Sequence, residues 1–336
     1  MPPPLQNKKL IYIAKMAPSR VKHKMVTSYI LNLDLPPHER FAELLAAFDV
    51  TELRAEFNTV YDSLVPHIPL INGGMDVLSR MHANKIMFCD EITFWANALL
   101  IPFHKVLLMQ LIYEFNAGCT TVVAPLDGKQ VMIRTMDWPM EYLKKVTYHG
   151  IFTKGGRVVF EGVCWLGSVG LFTGKNRHYS VAINYRRTHA VSIATILGNY
   201  LNAIHAHWPV SYLVRYALEN EWQYDTTHKI LADAPLIAPV YYVLNNYAGA
   251  PCVLMRDPDN CTRVTGKCVI QTNSDDNRHG ENIMMSFERF AMADDILRTH
   301  HTKSAVLERM RKYPVINEDT IYYAVMGEDM FEIATV

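Results

Sequence analysis

The sequence predicts an α+β fold, a two-sheet sandwich covered by helices on both faces, and three observations carry that prediction. Residues 52–115 are helical in pattern, with no strand-rich unit before residue 119. From residue 119 the chain alternates β-branched and apolar segments broken by turn dipeptides. Beyond residue 190 helices and strands return in blocks, unlike the strict alternation of a parallel βαβ sheet.

Half of the 336 residues are apolar and 20% are charged, a globular balance with enough apolar side chain for a sizeable core. The 33 basic and 33 acidic residues cancel, so there is no electrostatic footprint for nucleic acid. None of the six cysteines forms a Cys-x-x-Cys pair, which argues against a zinc site, and their density is far below that of a disulfide scaffold. One bridge among Cys252, Cys261 and Cys268 stays open. Leu10–Ala14 is shorter than the roughly 7–15 apolar residues of a secretory core, and no apolar run approaches the ~20 of a membrane span. As written, the chain is expected in the cytosol.

Taken in order, residues 1–26 are rich in Pro and Lys and read as an arm with one short strand. Tyr29 opens a strand that stops at Pro36-Pro37, and a helix follows over about 38–48, with Phe41, Leu44, Leu45 and Phe48 on one face. The helical stretch after residue 52 is broken at Pro66–Pro69, at Asn72-Gly73-Gly74 and at Leu99–Pro102. Residues 120–124 and 131–136 form a hairpin around Asp127-Gly128. Strands are expected at about 146–153 and 157–164, split by Gly155-Gly156, then at 178–185. Residues 165–174 read as a loop. Helices are expected at about 190–206, 210–221 and 225–233, and strands at 240–244, 251–256 and 261–272. Helices at 283–299 and 303–312 and a short strand near Tyr322 close the chain.

The hairpin is the chemical centre. Its antiparallel return brings Arg134 and Asp137 back toward Cys119 across separations of 15 and 18 residues. A thiol beside a cation is the composition of a nucleophilic cysteine. A structural cysteine beside a surface ion pair is the alternative that hairpin geometry alone leaves open. Gly167-Ser168-Val169-Gly170 has neither the spacing of a nucleophile elbow nor that of a phosphate loop. His205 and His207, two apart, do not share a helix face.

Cys119-Thr-Thr-Val-Val-Ala, Gly128, Arg134-x-x-Asp137, Gly170-Leu-Phe-Thr-Gly174, Asn184 and Ala238-Pro-Val-Tyr-Tyr-Val resemble the N-terminal-nucleophile cysteine amidases of the acid ceramidase and N-acylethanolamine amidase family, within the cholylglycine hydrolase superfamily. The resemblance implies the four-layer αββα sandwich and cleavage between Gly118 and Cys119. Residues 1–118 would then be a helical α-chain that stays packed on a catalytic β-chain, 119–336. It implies Cys119 as nucleophile with its freed α-amine as base, and Asp137 placing that amine. Arg134 would favour the thiolate and fix Asp137. Asn273 matches the oxyanion-hole Asn, and Arg289 the second arginine of the catalytic site. Asn184, Tyr185 and Arg186 would meet the substrate. No metal or organic cofactor is required. The substrate is a lipid-like N-acyl amide, a fatty acyl ethanolamide or ceramide, which also implies transient contact with a membrane surface. Lysosomal members carry a signal peptide. One departure stands out. Acid ceramidase and the ethanolamide amidase carry Glu then Arg after this Asn, whereas here Tyr185 replaces the Glu. Penicillin V acylase and bile salt hydrolase place an aromatic there, which keeps an acylase of that type as an alternative; the lack of a recognisable signal peptide keeps a silent lipid-binding relative as another.

Overall fold

The computed structural model describes residues 23–64, 86–110, 117–187, 207–276, 279 and 281–336. Most of the arm, the breaks at 66–69 and 72–74 and the helix at 190–206 lie outside the described residues.

Among the described residues fourteen strands build two sheets. They are β1 (Lys24–Met25), β2 (Ser28–Asn32), β3 (Gly118–Leu126), β4 (Lys129–Asp137), β5 (Thr147–Lys154), β6 (Arg157–Trp165), β7 (Thr173–Lys175), β8 (Tyr179–Tyr185), β9 (Val240–Asn246), β10 (Cys252–Arg256), β11 (Cys261–Thr265), β12 (Val269–Gln271), β13 (Thr320–Gly327) and β14 (Met330–Thr335). The six-stranded sheet runs β1-β14-β13-β4-β3-β12 and the eight-stranded sheet β11-β10-β9-β8-β7-β6-β5-β2. The helices in the N-terminal part are α1 (Pro37–Arg40), α2 (Ala42–Ala47), α3 (Val50–Leu64), α4 (Cys89–Leu99) and α5 (Phe103–Gln110). Those that follow are α6 (Leu143–Val146), α7 (Val210–Glu219), α8 (Tyr224–Asp233), α9 (Ser286–Thr299) and α10 (Lys303–Met310).

The layers follow from strand parity. Along β3 and β4, Val123 and Met132 pack between the sheets against Ala182, Tyr241 and Val243. Their neighbours Val122, Ala124, Val131 and Ile133 pack outward against Ala293, Ile296 and Val306 of α9 and α10. Because successive side chains point to opposite faces, one strand feeds both cores. The largest core fills the far side of the eight-stranded sheet, where it takes in Trp95 of α4 and Leu213 of α7, and continues between the sheets to Cys119, Met136 and Ala324. The order is helix, sheet, sheet, helix, the αββα sandwich of the N-terminal-nucleophile hydrolases.

Asp127 and Gly128 turn the β3–β4 hairpin, both with positive φ (50° and 80°), the two-residue turn whose twist matches the strands. Pairing runs from Gly118↔Asp137 to Leu126↔Lys129 without a shift. The N-terminal part is more than helical. β2 lies parallel to β5 from Ser28↔His149 to Asn32↔Thr153, and β1 pairs with β14. Residues before position 118 therefore extend both sheets. The strand expected over 261–272 is two strands in different sheets, and the strand near Tyr322 is a hairpin, β13 with β14. The helix expected over 38–48 is two short ones that meet at Phe41. Among the described residues no single helix is long and apolar enough to cross a membrane; α4 and α5 meet at a bend of 118°.

Candidate active site

Cys119 is the second residue of β3 and lies at the buried end of the sandwich. It shares strand parity with Thr121 and Val123, so its sulfur faces the other sheet. Arg134, opposite Thr121 in the ladder, faces the same way. Its Nη2 lies 3.4 Å from Cys119 Sγ and donates to the Ile183 carbonyl at 2.6 Å; its Nη1 donates to the Tyr322 hydroxyl. Burial holds Tyr322 neutral by raising its hydroxyl above the usual range, and that hydroxyl also meets Thr173 Oγ1 at 2.8 Å. The guanidinium is thus pinned where negative charge on the sulfur would develop.

Asp137 belongs to the other parity. Residues 134 and 137 are three apart on one strand, so they point to opposite faces. This corrects the expectation that Arg134 fixes Asp137, for Arg134 reaches it only through a longer-range coulombic attraction. The carboxylate faces the helix layer instead. Its Oδ1 accepts from Thr320 Oγ1 at 2.7 Å, and its Oδ2 lies 3.8 Å from Arg289 Nη1. Burial raises the Asp137 carboxyl above its ordinary value, and Arg289 pulls in the opposite direction.

Arg289, fully buried on α9, gathers the site. It donates to the Cys119 carbonyl, to Thr120 Oγ1 at 2.9 Å and to Asn273 Oδ1 at 2.6 Å. Asn273 follows β12, which pairs with β3 at Gln271↔Thr121 and so carries the chain alongside residue 119. The Cys119 N–H donates to Asn273 Oδ1 at 2.9 Å. Asn273 Nδ2 donates to the carbonyls of Ala117 at 3.2 Å and Tyr185 at 2.9 Å. Gly118 is a close approach: a Cβ there would stand 2.9 Å from Met284 Sδ and 3.2 Å from Asp137 Cβ.

Cys119, Arg134, Asp137, Asn273 and Arg289 therefore gather at the start of β3, Arg134 at the sulfur on the inner face, and Asp137, Asn273 and Arg289 around the backbone of residues 118–120 and the helix face. Asn184, Tyr185 and Arg186 do not join them as side chains. The Asn184 amide bridges the sheets, accepting from Thr121 Oγ1 at 2.7 Å and donating to the Gln271 and Thr272 carbonyls at 2.8 and 3.2 Å. Tyr185 contributes its carbonyl. Arg186 pairs with Asp275 at 2.6 Å and Asp257 at 2.9 Å. All six cysteines are free, so the bridge left open among Cys252, Cys261 and Cys268 is not made.

Sequence reading missed Tyr322 and Thr320, which bind Arg134 and Asp137 from β13. Neither carries a local mark; the pairing of β13 with β4, Tyr322↔Met136, would have been needed to find them. It also missed an apolar pocket of about 580 Å³, part of it open to solvent, walled by Leu53 and Phe57 of α3, Met109 of α5, Trp138, Trp165 and Phe172. The pocket adjoins the site: the Trp165 ring lies 5.8 Å from Trp138, which follows Asp137, and 6.2 Å from Tyr322.

Residues 24–81 match the family described as the beta subunit of N-acylethanolamine-hydrolyzing acid amidase. The match lies wholly before Gly118–Cys119, on the side that the resemblance names the α-chain. The chain is 29% identical over 318 residues to an uncharacterized protein of Acanthamoeba polyphaga mimivirus, covering 91% of this chain and 97% of that one. It is 28% identical over 250 residues to acid ceramidase of Bos taurus, covering 68% of this chain and 63% of that one, a little under two thirds of its length. The fold superposes on the Caenorhabditis elegans ortholog of N-acylethanolamine-hydrolyzing acid amidase with a TM-score of 0.56 at 24% identity, over 63% of this chain and 94% of that one.

Proposed function

We propose that the chain belongs to the acid ceramidase and N-acylethanolamine-hydrolyzing acid amidase family and that it is a self-processing cysteine amidase acting on the linear amide of a lipid-like N-acyl compound; the family match over residues 24–81 and the likeness to acid ceramidase support the reading. One observation carries the reading. The Cys119 sulfur lies 3.4 Å from a buried guanidinium while the Cys119 N–H donates to Asn273 Oδ1, so thiol and future amine are each held by a buried polar side chain.

In the cut, the sulfur attacks the Gly118 carbonyl and the acyl group moves from nitrogen to sulfur. Water then hydrolyses the thioester, leaving a Gly118 carboxylate and a free Cys119 amine. An unperturbed α-amine titrates near ~7.7–8.0 and can act as base at working pH. Asn273 Oδ1 already takes the Cys119 N–H, and Asp137 stands across from Gly118 in the ladder; both are acceptors for the amine. Once Ala117 can withdraw with the new carboxyl end, Asn273 Nδ2 is released to donate to a substrate oxyanion.

Turnover repeats the chemistry on an external amide. The amine takes the Cys119 proton, and the thiolate attacks the acyl carbon. The proton passes to the leaving amine, and water, activated by the same α-amine, splits the thioester. The apolar pocket beside Trp138 and Trp165 takes the acyl chain, a fatty acyl ethanolamide or ceramide being first choice. A second reading keeps this chemistry and changes the substrate. Tyr185, where the family carries Glu, favours a bile-salt or penicillin-like amide.

The test is intact-mass analysis of wild-type and Cys119→Ala protein, followed by a panel of acyl ethanolamides, ceramides and bile-salt amides. Fragments meeting at 118/119, with both cutting and hydrolysis abolished by Cys119→Ala, are expected. A Cys119→Ala protein that still hydrolyses amides overturns the proposal.

A further inference from the structure

The pocket has one wall that does not hold itself. Between β6 and β7, residues 166–172 run as loop, and Leu166, Gly167, Ser168 and Phe172 of this loop line the cavity. Two of its buried backbone groups are bound by one side chain. Gln110, the last residue of α5 and itself buried, donates from Nε2 to the Gly167 carbonyl at 2.9 Å and accepts the Val169 N–H on Oε1 at 2.9 Å. A side-chain amide that donates and accepts on alternate residues stands in for a neighbouring strand, and only Gln and Asn carry such an amide.

The next carbonyl, that of Val169, accepts from Arg215 Nη1 at 2.8 Å. Arg215 is in turn held bidentate by Glu91 of α4, at 2.6 Å for each contact. Arg40 donates to the same carboxylate while its Nη2 donates to the Leu33 and Leu35 carbonyls at 3.1 and 2.9 Å. Gln110, Glu91 and Arg40 all precede the Gly118–Cys119 bond; the loop and Arg215 follow it. The contacts of Gln110 with the loop and of Glu91 with Arg215 therefore cross the site of the proposed cut.

We propose that Gln110 is a positioning residue that sets the acyl-chain preference of the pocket by clamping the 166–172 loop, with Arg215 braced by Glu91 holding the loop's other side. The proposal rests on the amidase reading for the identity of the ligand. The clamp acts on the pocket wall and not on the sulfur, so its loss weakens long chains and spares short ones.

The measurement that separates the two readings is binding, not turnover. In full-length Cys119→Ala protein, quenching of the tryptophans by doxyl-labelled stearate reports occupancy of a pocket lined by Trp138 and Trp165. Adding Gln110→Ala should weaken stearate binding about tenfold while displacement by hexanoate changes little. Gln110→Glu, which keeps the acceptor and loses the donor, should fall between. In cleaved wild-type and Gln110→Ala enzyme, the KM for a long-chain ethanolamide should rise with little change in kcat. Equal losses at every chain length, or none, overturn the proposal, as does a stearate affinity that falls only in step with the thermal midpoint. A wild-type chain that binds stearate yet never cuts itself ends the amidase reading, while the Gln110→Ala binding ratio still decides this one.

Discussion

Two buried carboxylates, Glu91 and Asp137, are each attended by arginine, and they are held in opposite ways. Glu91 is saturated: Arg215 grips it at 2.6 Å through two nitrogens and Arg40 adds another donor. Asp137 takes one short bond from Thr320 at 2.7 Å and a further side-chain hydrogen bond from Asn317, its Oδ2 has no hydrogen-bond partner among the described residues, and its nearest guanidinium nitrogen stands 3.8 Å away. A saturated carboxylate can only be a fastening. A carboxylate with acceptor capacity left over, beside the bond proposed to be cut, has room for the amine that the cut would free. The fastening joins a residue before Gly118 to one after it, and the loosely held carboxylate lies beside the bond proposed to be cut.

The comparison breaks most visibly at Glu91. Glu91→Ala leaves Arg215 and Arg40 without their common anion, and removing one side of a buried pair costs about 3–5 kcal/mol. Urea denaturation of Cys119→Ala and Cys119→Ala/Glu91→Ala proteins should show that loss. Replacing Glu91 and Arg215 together by apolar residues of similar volume should recover much of it. A loss below ~1 kcal/mol, the worth of an exposed pair, would mean that the cluster fastens nothing.

At the other carboxylate the loss should appear in rate. Asn273→Ala removes the proposed oxyanion donor and should lower kcat by about 10²–10³, with slower cutting at 118/119. Tyr322→Phe is gentler. It takes one hydroxyl from Arg134 and Thr173, at a cost of about 1 kcal/mol in stability, with a smaller loss of kcat than Asn273→Ala gives.

How much of this was legible beforehand follows from the range of each interaction. The β3–β4 hairpin was, because Asp127-Gly128 and the flanking alternation are local and sufficient. The meeting of Cys119 with Arg134 followed from its register. The partnership of Arg134 with Asp137 did not survive, and parity alone could have refused it. Arg289 was reached only through the resemblance; it lies 170 residues from Cys119 in sequence, and a buried arginine on a helix looks like an exposed one until the helix is docked. The passage of residues 261–272 from one sheet to the other left no trace, because apolar alternation continues on both sides of the turn at Gly266-Lys267. Gln110 gave no sign either, since its two partners are the backbone of a loop, and backbone has no residue type.

The smallest expected effect is the sharpest test of the comparison, because it asks for a change of sign. Asp137 is raised above its ordinary 3.8 in the intact chain, burial outweighing the attraction of Arg289. A raised carboxyl binds its proton more tightly folded than unfolded. Its contribution to stability is therefore complete below the unfolded value and is lost as pH rises through the folded one. In uncleavable Cys119→Ala protein, Asp137→Asn removes that loss. Its thermal midpoint relative to Cys119→Ala should climb as pH is taken from below 4 toward neutrality. In cleaved protein the new α-ammonium beside Asp137 favours the charged carboxylate, so the same substitution should cost stability at neutral pH. Glu91→Gln, at a carboxylate that gains no partner from the cut, should cost the same before and after cleavage. An Asp137→Asn effect with one sign in both forms would mean that Asp137 does not receive the amine.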